Sequence, residues 1–231
     1  MTIINQVVHR GGVILFADTA VADEVGRLSR FASKIHTPGG HLFGWMAMGS
    51  GDGARFVAEW LPAHADFDYA VIALPDILRL WLPFGAARLG DNAHIQVLFA
   101  GWSESRREWA GAIIDTLEAP GRPAFQIADA GVCIGPCAIG GAIRPFTDAE
   151  ILKNIAILKP VEFARRVLNA RRRASALHDG KCISGGAGEF VTITDDGVKR
   201  KNILVWPDAV GDTAEAVAAR ALAAPAPKFL T

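Results

Sequence analysis

Two short runs rich in β-branched residues, 3–8 and 13–17, meet at His9-Arg10-Gly11-Gly12, and this turn constrains the fold more than any other feature of the chain. Consecutive glycines supply the backbone freedom that a tight hairpin needs, so the two runs are expected to pair antiparallel. The signature recurs. Residues 34–36 and 41–47 flank Thr37-Pro38-Gly39-Gly40, 95–101 and 109–114 flank the polar turn 103–108, and 190–194 and 198–206 flank Asp195-Asp196-Gly197. Residues 125–128 and 132–134 read as two further short strands. Hairpins at both ends, with helices between and after them, are not the strict strand–helix alternation of a parallel doubly wound sheet. The expectation is an α+β chain of antiparallel sheets covered by helices.

The helices show the other period. Gly49-Ser50-Gly51-Asp52 opens a segment in which Phe56, Val57, Trp60 and Leu61 share one face, and Pro62 ends it. Residues 148–158 stop before Pro160, a second helix runs over 161–177, and an alanine-rich helix covers 213–224. The Ala/Pro stretch after it reads as a mobile tail. Residues 18–30 read as a more polar segment. Residues 69–84 are largely apolar but carry Pro75 and Pro83, which leaves strand and helix both open. With no repeat and no low-complexity linker, residues 1–231 are expected to form one domain.

Apolar residues are 51% of the 231, enough for a sizeable core. Lys plus Arg equals Asp plus Glu at 24 each, so no electrostatic case for nucleic acid arises. No apolar run reaches the roughly 20 residues of a membrane span, and no basic, then apolar, leader opens the chain. A cytoplasmic protein is expected, with Cys133, Cys137 and Cys182 as reduced thiols. Cys133 and Cys137 lack a matching His/Cys pair nearby, and the histidines do not fall at ligand spacing, so no metal or cofactor is expected. Arg165, Arg166, Arg171, Arg172 and Arg173 read as a solvated or subunit-facing helix surface, and the tryptophans as core or interface anchors.

The chemistry concentrates at the front. Thr2 lies sixteen residues before Asp18, and Asp18 sixteen before Lys34, each at a predicted strand end. A hydroxyl is a weak nucleophile until a base takes its proton. If Met1 is removed, the α-amine of Thr2 can serve as that base, since its pKa near 8 leaves part of it neutral. Lys34 disfavours a second positive charge on that amine, and Asp18 would hold Lys34 charged and oriented.

At these residues the sequence resembles the proteasome β-type peptidases. The family's Thr, Asp and Lys fall at the spacing of Thr2, Asp18 and Lys34. Residues 12–19 resemble its second strand, Phe43-Gly44-Trp45-Met46-Ala47-Met48-Gly49-Ser50-Gly51-Asp52 its strand–turn–helix, and 97–101 its central strand. Ser184-Gly185-Gly186 resembles its late Asp-x-x-Ser-Gly-Gly motif. The resemblance implies a four-layer αββα sandwich, the N-terminal-nucleophile hydrolase fold. It implies a threonine peptidase that cleaves polypeptide amide bonds after Met1 is lost. The oxyanion donor would be the Gly49 N–H, with Met48 as the other register, and Asp179 and Ser184 would support the site. It further implies a homo-oligomeric ring, with an ATPase unfoldase as an open partner. Two departures stand out: Gly141 sits where the family has a serine, and Lys181 sits three before Ser184 where it has an aspartate. They favour a rival reading, a catalytically inactive scaffold or binding subunit. A small-molecule amidase on the same fold is the other.

Overall fold

The computed structural model describes residues 3–23, 25–119, 121–135, 137–139 and 142–229. Thr2, Gly140 and Gly141 lie outside the described residues, as do the side chains of Ile139 and Asp179. The elements, in order, are β1 Ile4–His9, β2 Gly12–Asp18, β3 Ala20–Ala22, β4 Leu28–Phe31, β5 Ile35–His36, β6 Phe43–Gly49, α1 Gly51–Trp60 and α2 Phe67–Leu89. There follow a 3-10 turn Gly90–Ala93, β7 Ile95–Ser103, β8 Glu108–Asp115, β9 Ala128–Asp129, β10 Val132–Cys133, β11 Cys137–Ile139 and β12 Ala142–Arg144. Helices α3 Asp148–Leu158 and α4 Pro160–Asp179, hairpin β13 Ala187–Thr194 and β14 Gly197–Val205, and α5 Ala214–Ala223 complete the chain.

The hairpins assemble into two five-stranded antiparallel sheets. One runs β10-β1-β2-β13-β14, the other β5-β6-β7-β8-β9. The first hairpin closes at His9↔Gly12. Gly12 has φ 140°, and a Cβ there would drive into the carbonyl of Ile193, so this turn requires glycine.

Both faces of the central strands are apolar, so both must be covered. In β2 the alternation separates Ile14 and Phe16 from Val13, Leu15 and Ala17. Ile14 and Phe16 join Phe190 and pack with Ile151 of α3 and Phe163, Val167 and Leu168 of α4. Leu15, with Val191 and Ile193, packs with Met46, Leu98 and Ile113 of the other sheet. That sheet turns Phe43, Trp45, Val97 and Phe99 to Val57 of α1 and to Phe67, Leu74, Leu78 and Trp81 of α2. A smaller cluster ties Ala20 and Leu28 to Val217, Ala218 and Ala221 of α5.

Several expectations change. Residues 69–84 are helical, inside α2, although Pro75 and Pro83 each withhold a backbone donor. Phe67, Ala70, Leu74, Ile77, Leu78, Trp81 and Gly85 are its buried positions, a 3.6-residue repeat that the prolines obscure in the sequence. By length and composition alone α2 is apolar enough to cross a membrane. In the structure its Trp81 face is committed to the second sheet, while Ile72, Leu80 and Phe84 are exposed. The polar segment after Asp18 holds a ribbon, β3–β4. Phe125 takes φ 61°, and the strand expected over 125–128 is reduced to Ala128–Asp129.

The arginines of α4 divide: Arg165 is 48% exposed, whereas Arg172 is 3% exposed. Arg165 donates to the Ile203 carbonyl at 2.6 Å, Arg171 to the Ile4 carbonyl at 2.8 Å, and Arg173 to the Leu222 carbonyl at 2.8 Å. The segment after α5 is likewise tied down. Arg166 reaches the Lys228 carbonyl at 2.5 Å, and the Phe229 ring meets Phe146 edge-on at 4.8 Å.

Candidate active site

Asp18 ends β2 at the point where β13 begins, paired with Gly188, and its side chain is fully buried. Every contact recorded for its carboxylate is a donor. Oδ1 accepts the Lys34 ammonium at 2.7 Å and the N–H of Ile3 at 2.9 Å. Oδ2 accepts the N–H of Gly185 at 3.2 Å and of Ala20 at 3.3 Å. Ile3 supplies the amide that follows Thr2 in the chain, so one oxygen fixes both the lysine and the backbone beside the expected nucleophile. The Asp18 N–H returns to the Ile3 carbonyl at 3.2 Å, locking the start of β1 on the end of β2.

Lys34 is 10% exposed against a wholly buried partner. Replacing such a pair with well-packed apolar groups is commonly neutral or better for stability. The backbone around Lys34 is pinned on both sides. Ser33 Oγ donates to Glu189 Oε2 at 2.8 Å, and the Ile35 carbonyl accepts from Arg200 at 2.8 Å. Arg200 also reaches Glu189 Oε1 at 2.7 Å. Glu189 and Arg200 thus hold the backbone on either side of Lys34, at the start of β5. Neither carries a spacing signal in the sequence, because both come from the last hairpin.

Gly49 closes β6 opposite Ile95. The Ser50 N–H goes to the His94 carbonyl at 2.8 Å, while the Ile95 N–H donates to Thr116 Oγ1 at 2.9 Å and the Ile95 carbonyl accepts the N–H of Thr116, just after β8, at 3.0 Å. Backbone groups alternate sides along an antiparallel ladder, so the Gly49 N–H points to the β5 side of β6, where Ile35 lies. Gly49 has φ 105°, and a Cβ would collide with the His94 carbonyl. Glycine is required here by the backbone itself, whether or not a substrate approaches.

Ser184 is fully buried in the loop between α4 and β13. Asp179 is the last residue of α4, which Gly180 ends in the left-handed conformation. Lys181, where the family has its aspartate, is exposed and pairs with Glu215 at 3.4 Å. Besides Asp18, a second carboxylate reaches the Ser184-Gly185-Gly186 loop, that of Asp208, which follows β14. Its only early signal is its place in the turn after Trp206-Pro207.

The three thiols are held in their protonated form. Burial pushes Cys137 up to about 12, with the nearby Arg171 opposing, and raises Cys133 and Cys182 as well. His36 lies flat on Trp45, ring centroids 3.9 Å apart. Its pKa is lowered by burial first and by Arg200 second, with Glu189 opposing. Together with Ser33, Ile35, Leu61 and Arg200 these two rings line an open cavity of about 400 Å³.

No family model matches the chain, and no curated protein matches it.

Proposed function

We propose that the chain is an N-terminal threonine hydrolase of the proteasome β type, cleaving amide bonds of polypeptides with Thr2 after Met1 is removed. The observation that carries this is the shared oxygen of Asp18, which takes both the Lys34 ammonium and the Ile3 N–H. In this reading the Thr2 Oγ attacks the scissile carbonyl and its proton passes to the Thr2 amine. The Lys34 cation keeps that amine neutral, and Asp18 keeps Lys34 in place. The Gly49 N–H, turned to the β5 side, stabilises the oxyanion, and water releases the acyl group. The three large apolar clusters support a helix–sheet–sheet–helix layering, the αββα sandwich of that hydrolase fold. A ring of identical subunits in the cytoplasm, with or without an ATPase unfoldase, belongs to the same proposal.

The test combines intact mass with one substitution. The native protein is expected to be lighter by one methionine. Thr2→Ala is expected to abolish hydrolysis of a fluorogenic peptide amide and leave the melting temperature unchanged. Retained hydrolysis, or Met1 still in place on a fully active protein, overturns the assignment. The outward course of Lys181 favours a second reading, a scaffold or binding subunit without activity. A retained Met1 together with no turnover by the wild type would support it.

A further inference from the structure

Behind the loop that touches Asp18 lies a second ionic cluster. Asp208 is fully buried, and Arg172 is 3% exposed. Arg172 grips Asp208 with both terminal nitrogens, at 2.5 and 2.8 Å. Arg220 of α5 adds a contact to Asp208 Oδ1 at 3.1 Å and pairs with Asp212. The guanidinium of Arg172 also sits 4.9 Å from the ring centre of Trp206. Two cations and two anions balance, so the cluster is neutral as a whole.

Its free edge faces the candidate site. Asp208 Oδ2 accepts the Gly186 N–H at 3.4 Å, and the Trp206 N–H closes on the Gly186 carbonyl at 2.8 Å. At Gly185 a Cβ would fall inside contact distance of Asp208 Oδ2. The carboxylate is therefore a wall against which the bare Gly185 backbone rests. From there the Gly185 N–H points forward to Asp18 Oδ2. Asp208, the loop and Asp18 form one continuous stack that ends on Lys34 and Ile3.

We propose that Asp208 is a positioning residue: held by Arg172 and Arg220, it fixes Gly185-Gly186 so that Asp18 keeps Lys34 and the Ile3 amide in register. This rests on the hydrolase reading above. It assigns to the far end of the chain the supporting carboxylate that Lys181 does not supply. The cluster is not built for stability alone. Arg172 Nε is buried without a partner among the described residues, a cost that an apolar packing would avoid.

The probe is a trileucine vinyl sulfone. Its β-carbon bonds to Thr2 Oγ, the double bond is consumed, and the hydroxyl proton ends on the α-carbon. Labelling is read by intact mass, and kinact and KI are separated by varying the probe concentration. Asp208→Ala in the full chain is expected to lower kinact about ten- to hundredfold while KI stays within about twofold, as expected when reacting groups shift without losing the binding surface. Asp208→Ala leaves Arg172 buried and unpaired, so Asp208→Ala with Arg172→Met serves as the folding control. The pair is expected to restore the melting temperature and not kinact. If the wild type labels at Thr2 and the double variant labels at the wild-type kinact, the positioning role is wrong and the hydrolase reading stands. If the wild type does not label at Thr2, the hydrolase reading fails and takes the positioning role with it.

Discussion

At the residue scale, Asp18 and His36 show how burial gives ordinary side chains particular work. Four donors converge on Asp18, and no solvent competes for it. His36 is held in its uncharged form by burial between Trp45 and the Arg200–Glu189 pair. Its folded pKa is below the ordinary value of 6.5, so the unfolded chain binds the proton more readily. The stability it contributes is complete above that value. It is lost as pH falls from 6.5 toward the folded pKa. His36→Phe keeps a flat ring on Trp45 and removes the titration. The drop in melting temperature between pH 7.5 and pH 5.5 is expected to be smaller in His36→Phe than in the wild type. An equal drop would show that other groups, His9 among them, carry the dependence.

At the element scale, α2 shows a tertiary gain overriding a local penalty. Two prolines in the interior of a helix withhold donors and crowd the preceding turn. What offsets this is the buried stripe, above all Trp81, whose ring packs into the second sheet while its Nε1 donates to the Ala93 carbonyl at 2.7 Å. Gly85 and Gly53 leave the room that this ring occupies. Trp81→Ala removes a large buried ring and strands a carbonyl, and is expected to cost about 3–5 kcal/mol in a denaturant titration. α3 is more local. Its capping box, Thr147 with Glu150, is written into four consecutive residues and forms as written.

At the scale of the whole molecule, the two sheets share one apolar cluster, and Leu15 sits within it, fully buried. Gly44 lies so close that a Cβ there would come within 2.8 Å of the Leu15 side chain. Leu15→Ala opens a cavity in this cluster, and is expected to cost about 2–5 kcal/mol with little change in the denaturant slope. An altered slope would mean that the sheets part independently. α4 is the other long-range organiser. Its arginines reach β1, β14, the last turn of α5 and the segment after α5, converting a basic run into a set of tethers.

What the sequence determined by itself is local. The hairpins around Gly11-Gly12 and Asp196-Gly197 and the caps of α1 and α3 follow from turn chemistry and period, which neighbours in the chain dictate. Tertiary structure decided whatever depends on partners far along the chain. Burial against the second sheet made residues 69–84 a helix. Carbonyls of distant strands and loops took up the α4 arginines. Asp208, more than twenty residues beyond Gly185, became the carboxylate behind the loop. None of these has a periodic or spaced signature, because a buried hydrogen bond is specified by where two backbones meet in space, and that is settled only when the sheets and helices have packed.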